Sequence, residues 1–405
     1  MILKKTIYLK DFRLSYLILI LLPALPFLVN AKIQWLLHVF LIWAIILESG
    51  KVQLSKLSKW NLLLLLPVFW SFLYSLDSEY HNIIQSLFYL LTPFLMLTLG
   101  IQMGSVFKKK EEIYLYIIYH GSVGSALFLG IGLFTVGANS VGNIYVFRNM
   151  MLWGSITNVL AVILLLFHSK AGSPLAEKAG LRSILLILNA LALVLTVSRT
   201  YYLLFFVFLA LILFQYQKKI FMVLLSFLVF GLISIMSIQT DNLFIYKIQN
   251  SISEISNTRE FSGYDDVGAF YRAYETQQAM KTFKDGQDFE LMFGHGLQKM
   301  VDLGAYVELA GTEYRFIPVL HNGYAYLLLR AGYIGLIFYF VFFLRVGFIK
   351  KTLPLHRFYY LIYLGCLLSL LISNYVINSF FSFEMLMGWV IMGIYFNHWS
   401  KSENI

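Results

Sequence analysis

The stretch VLHNGYAYLLLRAGYIGLIFYF, residues 319–340, opens on His321 and Asn322 and then enters an apolar run that holds Arg330, Gly332 and Gly335. An imidazole can take or give a proton near neutral pH. In the plainer reading, His321 is simply a polar side chain with its hydrogen bonds satisfied. At about 100° per residue, positions 321, 325, 328, 332 and 335 fall on one face of a helix. His321 therefore heads a stripe whose two glycines would let a neighbouring helix come close. Arg330 points to roughly the opposite face. A charge inside an apolar run needs a partner, and Glu384, in the last apolar run, is the expected one. A structural ion pair of Arg330 and Glu384 is the favoured reading, with a catalytic Arg330 the alternative.

A second cation stands out in SRTYYLL. From Leu181 to Phe230 there is no glycine or proline, yet Lys178 and Arg182 flank the run on one side and Lys218 and Lys219 lie within it. The run is too long for one membrane span of about 20 residues. A tight hairpin with its tip at Ser198-Arg199 reconciles these facts. Arg199 is then either an interfacial arginine reaching to lipid headgroups or a fixed guanidinium whose planar fork suits a phosphate group.

These side chains need a scaffold, and composition says which kind. The chain has 405 residues, 59% hydrophobic and 13% charged, with a mean hydropathy of +0.74. Soluble domains carry about 25% charged residues. Apolar runs recur at 14–30, 33–47, 60–76, 83–103, 113–136, 150–167, 182–198, 200–217, 220–238, 322–348, 357–377 and 380–398. The expected fold is an all-α polytopic membrane protein of about twelve transmembrane helices. Most of the 31 basic residues fall in alternate connections, which puts both termini in the cytoplasm by the positive-inside rule. The net charge of +10 is therefore sorted by side and does not call for nucleic acid. The first run could pass for a signal peptide, but it is long for a signal core and holds Pro23 and Pro26. The single Cys366 can form no disulfide within the chain.

The organisation follows: 1–238 with helices one to nine, 239–320 as one large external loop, and 321–405 with the last three helices and a tail. The loop holds 12 of the 21 acidic residues, and a segment so polar cannot enter lipid. Asp265-Asp266 followed by Val267, Phe270, Tyr271 and Tyr274 predicts an amphipathic helix at about 265–284 on the outer membrane surface. LMFGHGL, 291–297, reads as a glycine turn. No internal repeat is found.

Together these residues resemble the bacterial O-antigen polymerase and ligase superfamily. Its ligases show a His-Asn, nine residues, then Gly-x-x-Gly pattern where a large periplasmic loop meets the next helix; here these are His321-Asn322, Gly332 and Gly335. An Arg-x-x-x-Leu motif at an outer helix tip is matched by Arg199 and Leu203. A loop arginine ahead of a glycine turn is matched by Arg272 with Gly294 and Gly296. The Arg-x10-Gly elements described for some polymerases are missing: none of Arg148, Arg199, Arg259, Arg272 and Arg315 has glycine eleven residues on. Polymerase and ligase both stay open, with polymerase the leading reading.

The resemblance implies a GT-C-like membrane enzyme of the bacterial inner membrane with a periplasmic active site. It implies transfer of a glycan from undecaprenyl diphosphate to a sugar hydroxyl, inverting, with no metal or other cofactor. Departure of a diphosphate builds negative charge that placed arginines can stabilise. Arg199 and Arg272 are the catalytic candidates beside His321, with Arg148, Asn322 and Arg315 on substrate and Gly332, Gly335, Arg330 and Glu384 structural. The implied partners are the lipid-linked oligosaccharide, a glycan or lipid A-core acceptor, membrane lipids and a chain-length regulator. Only His81, His295 and His321 fall outside, without metal-ligand spacing. A transporter or flippase is the rival class, but such proteins show repeats and binding groups near the bilayer midplane.

The sidedness is directly testable. Arg148→Cys and Asp285→Cys should react with an impermeant thiol reagent added to intact cells, and Pro174→Cys should not; labelling at 174 overturns the assignment.

Overall fold

The computed structural model describes residues 14–28, 31–52, 58–75, 80–107, 109–136, 155–171, 175, 178–196, 198–226, 261, 267, 270–309, 312–348 and 357–402. Helix is present in the described part of each of the twelve apolar runs. Among the described residues, five helices are long and apolar enough to cross a membrane: Ile83–Val106, Glu111–Phe134, Arg199–Tyr216, Gly323–Gly347 and Arg357–Ile377. The chain is a multi-pass helical membrane protein. Apolar segments take this form because in lipid only a helix satisfies every backbone group within the segment.

The bundle consists of α1 (Leu14–Leu21), α2 (Leu25–Leu28), α3 (Ala31–Ser49), α4 (Ser58–Leu73), α5 (Tyr80–Val106) and α6 (Lys110–Val136), then α7 (Ile156–Leu166), α8 (His168–Ala171), α9 (Ala179–Leu195) and α10 (Arg199–Tyr216). After the loop come α13 (Gly323–Gly347), α14 (Arg357–Ile377) and α15 (Leu386–Ser402). Helix α15 packs along α5 through small residues. A Cβ on Gly100 would sit 2.1 Å from the Val390 carbonyl oxygen, and one on Gly393 would sit 2.2 Å from that of Leu97. Polar side chains join α6, α7 and α9. Asn158 Nδ2 donates to Ser125 Oγ at 2.8 Å and to the Asn189 carbonyl at 3.0 Å, while Asn189 Nδ2 donates to Ser122 Oγ at 2.8 Å. Such bonds hold helices where no hydrophobic force separates protein from lipid.

The chain breaks its helix where the hairpin tip was expected: α9 ends at Leu195 and α10 begins at Arg199. What replaces glycine at this turn is side-chain capping. Thr196 Oγ1 donates to the Leu193 carbonyl at 2.7 Å, and the Tyr202 hydroxyl donates to the Val194 carbonyl at 2.7 Å.

Inside the loop lie α11 (Tyr271–Lys284), α12 (Asp288–Phe293) and an antiparallel hairpin of β1 (Val301–Leu309) and β2 (Thr312–Ile317). The hairpin corrects the all-α reading: Val301, Leu303 and Val307 are buried on one side of β1, an alternation that only a strand produces. Helix α11 matches the later part of the predicted 265–284; Asp265 and Asp266 lie outside the described residues. Its buried residues Ala273, Tyr274, Glu275, Ala279 and Phe283 meet α13, β1 and α12, so a face read as resting on lipid rests on protein.

The loop is joined to the bundle by a backbone crossing. Gly332 has φ 67° and ψ −169° inside α13, so the helix breaks there. The predicted glycine turn fits into the break, with Gly294 at φ 85° and Gly296 at φ 81°. A Cβ on Gly332 would stand 2.3 Å from the Met292 carbonyl oxygen, and one on Gly294 would stand 2.4 Å from the Ala331 nitrogen. The carbonyls released by the break are taken up: His295 N–H donates to Leu329 at 2.8 Å and Ser71 Oγ donates to Arg330 at 2.8 Å. Gly332 thus admits the loop's backbone where the sequence suggested a neighbouring helix. Gly335 does face one, with Pro67 and Trp70 of α4 in ordinary contact range of an added Cβ.

Gly332→Ala requires a left-handed alanine and displacement of the loop backbone, a cost of at least about 2 kcal/mol. The purified variant should unfold at a clearly lower temperature in detergent, whereas Gly347→Ala, where nothing lies within 4 Å of the added carbon, should not.

Candidate active site

His321 sits where the loop enters α13, and the backbone around it is fixed from every side. Asn378 Nδ2 donates to the Leu320 carbonyl at 2.8 Å, and Arg330 Nη2 donates to that of Pro318 at 2.5 Å. Asn322 is the N-cap of α13, its Oδ1 accepting from the Tyr324 and Ala325 N–H groups at 3.0 and 3.2 Å. This is a sufficient reason for an Asx-type residue after the histidine, and it turns Asn322 from an expected substrate ligand into a structural residue. Gly323 follows because an added Cβ would lie 2.1 Å from Asn374 Oδ1.

The histidine has a carboxylate partner that the sequence did not single out. Glu275 Oε2 accepts from the His321 backbone N–H at 2.7 Å, and Oε1 lies 3.1 Å from His321 Nδ1. Glu275 is almost fully buried, at 1% side-chain exposure, while His321 is 47% exposed. A carboxylate only accepts, so Nδ1 carries the proton and the opposite ring nitrogen, Nε2, is left as an acceptor. The Tyr271 ring meets the imidazole edge-on at 6.0 Å. Burial first, then the charge of Glu275, raises the Tyr271 hydroxyl well above the ordinary tyrosine range, which keeps it protonated.

Around this pair gather groups from two other places in the chain and from α11 itself. Glu384, in the turn Phe383–Met385 ahead of α15, accepts from the Tyr201 hydroxyl at 2.7 Å. The residue is exposed at the surface while its carboxyl group is surrounded by protein, within electrostatic reach of Arg272 and His321. Arg272 stands in the first turn of α11, one turn before Glu275 and within electrostatic reach of Glu384. Arg199 is the exposed first residue of α10, two positions before Tyr201. Arg148 lies outside the described residues.

Two expectations are corrected here. The Arg330–Glu384 pair is absent. Arg330 is fully buried, and its Nη1 donates to the carbonyls of Leu297 and Gly296 at 2.6 and 3.3 Å. With the Pro318 bond and the Tyr326 ring 5.3 Å beneath the guanidinium, backbone dipoles and a π face solvate this cation without an acid. Arg330 is structural, as expected, through a different partner, and Glu384 is released to the recess. Arg315 is not at the site: on β2 it makes a forked bond to Asp302 at 3.0 and 3.1 Å. That bond and the Gly304 N–H hold Asp302 below the usual carboxylate range. Both side chains are well exposed, so the pair contributes little. The loop's other histidine, His295, is buried and lies against Glu290 at 3.3 Å, tying α12 to the glycine turn. Among the described residues no cluster of three metal-ligating side chains forms.

Comparison with known proteins places this segment. Residues 184–340 match the family model described as O-antigen ligase, which supports the resemblance to the O-antigen polymerase and ligase superfamily. No curated protein and no solved structure matches the chain. The matched segment holds Arg199, Tyr201, Arg272, Glu275 and His321; Glu384 comes from beyond it.

Losing Arg330 should unseat the loop. Arg330→Met strands three buried carbonyls, a cost of about 3 kcal/mol, and should lower the membrane level of the protein. The double change Arg330→Glu with Glu384→Arg should not restore it; recovery would reinstate the ion pair.

Proposed function

We propose that this chain, whose segment 184–340 carries the O-antigen ligase pattern, transfers a glycan from a lipid diphosphate carrier to a sugar hydroxyl. In this reading it polymerises the repeat units of a surface polysaccharide, O-antigen or capsule, at the periplasmic face of the bacterial inner membrane. Undecaprenyl diphosphate is the proposed carrier, both chain termini are cytoplasmic, and a chain-length regulator is a proposed partner. The observation that supports the reading most is the half-exposed His321, its Nδ1 held by Glu275 and its outer nitrogen available, with Arg272 one turn before Glu275 on α11. A hydroxyl nucleophile needs a proton acceptor, and a departing diphosphate needs positive charge.

The reaction balances without an activated cofactor. The acceptor oxygen attacks the anomeric carbon as its proton passes to His321 Nε2. The bond from that carbon to the diphosphate oxygen breaks on the opposite face, and its electron pair leaves on the diphosphate, with inversion. Arg272 and Arg199 are proposed to stabilise that charge, with Arg148 third. The description of the matched family favours a second reading, transfer of finished glycan to lipid A-core.

A deletion strain separates the two: single repeats on the acceptor indicate a lost polymerase, and full-length glycan stranded on the lipid carrier indicates a lost ligase. In detergent, His321→Ala should lose most transfer while binding lipid-diphosphate glycan nearly as well as wild type. Arg199→Lys keeps charge but loses the fork, so its activity should fall below wild type and exceed that of Arg199→Ala. Full activity of His321→Ala overturns the proposed role, and loss of wild-type activity in EDTA brings a metal into it.

A further inference from the structure

We infer that Glu275 is the positioning residue for His321: it fixes the tautomer and ring orientation and stabilises the imidazolium that forms when the acceptor hydroxyl gives up its proton. The inference rests on the reading of His321 as proton acceptor. Its ground is geometric. One buried carboxylate holds both the backbone N–H, at 2.7 Å, and the ring Nδ1, at 3.1 Å, of the same histidine. Two contacts from one rigid group leave the ring little freedom, and α11 is itself fixed because the Tyr274 hydroxyl donates to the Leu303 carbonyl of β1.

The bland reading is that Glu275 merely closes the loop onto α13. Burial argues against that as the whole account. A carboxylate at 1% exposure is costly to bury, and the backbone bond alone could have been made by a neutral amide at no such cost. Charge at this place matters only if the partner becomes charged. Imidazole does so when it takes the proton, and the adjacent carboxylate offsets the new charge.

Several groups face His321. Glu275, Tyr271 and Arg272 come from α11, and Glu384, bonded to Tyr201 of α10, comes from the turn before α15. Arg272 opposes protonation of the ring and Glu384 favours it, so these two act in opposite senses. Tyr271 is neutral and contributes no charge. Glu275, in direct contact with Nδ1, remains the decisive group. Replacing it with a neutral residue should disfavour the imidazolium, and the histidine should titrate at lower pH.

The test uses the full chain in detergent with selectively 15N-labelled histidine, the His321 signals being identified by their loss in His321→Gln. In the wild type His321 should be the Nδ1-protonated tautomer. In Glu275→Gln its titration midpoint should fall below that of the wild type. Transfer measured with the lipid-diphosphate glycan pool of membranes lacking this chain should fall by about tenfold in kcat, with little change in KM. Its acidic limb should move to lower pH. Glu275→Asp retains the charge and should hold the midpoint near that of the wild type and recover part of the rate. It also serves where Glu275→Gln does not elute as a folded protein. An unchanged midpoint and tautomer in Glu275→Gln overturns the inference, as does a shifted midpoint with an unchanged rate. The tautomer and midpoint are read without turnover, so an active His321→Ala would remove the proposed function separately.

Discussion

The loop and the membrane bundle are one unit because two backbones cross at glycine contact distance. Gly294 and Gly332 both occupy left-handed conformations, and neither position has room for a side-chain carbon. Breaking a helix near the membrane leaves carbonyls that water cannot reach, and each one unpaired would cost several kcal/mol. Here the break is compatible with folding only because another part of the chain supplies donors. His295 N–H and Ser71 Oγ take the two released carbonyls, and Arg330 turns back to take three from the loop. The interlock also fixes Pro318, three residues before His321, so the position of the imidazole follows from it.

What the sequence disclosed and what it concealed divide along a physical line. Properties carried by side-chain type and period were readable: the apolar runs, the glycine turn, and the helix break before Arg199. Properties that depend on backbone acceptors were not. Arg330 was rightly expected to need a partner, but a carbonyl belongs to every residue and leaves no mark in a sequence, so the visible acid, Glu384, took its place in the reading. Gly332 was read as a small surface on a continuous helix, because composition does not distinguish a glycine that allows close packing from one that allows positive φ. Asn322 looked like a ligand, and its capping bonds appear only once α13 is seen to start at Gly323.

Glu275 was missed for a different reason. It lies in a loop rich in acids, on a helix whose apolar face was assigned to lipid, so one more carboxylate there looked solvated. Its burial follows from a tertiary arrangement, the packing of α11 between the hairpin and α13. The hairpin carried a weak signal of its own, the alternation in VDLGAYVEL and TEYRFI, which a search for helices passed over.

The recess contains two carboxylates whose surroundings separate their roles. Glu275 is enclosed and committed to one imidazole. Glu384 is an exposed residue that accepts from a neutral hydroxyl and lies within electrostatic reach of Arg272 and His321. Five side chains from four separated places in the chain meet here, and the last is not covered by the recognised segment, which ends at residue 340. The final two helices therefore do more than anchor the chain. Asn374 and Asn378 of this region press on Gly323 and hold the Leu320 carbonyl, while Glu384 completes the polar wall. Residues 184–340 supply Arg199, Arg272 and the histidine with its carboxylate partner, but Glu384 and the asparagines that fix the backbone beside His321 come from the segment beyond, where α14 packs against α13 and α15 against α5.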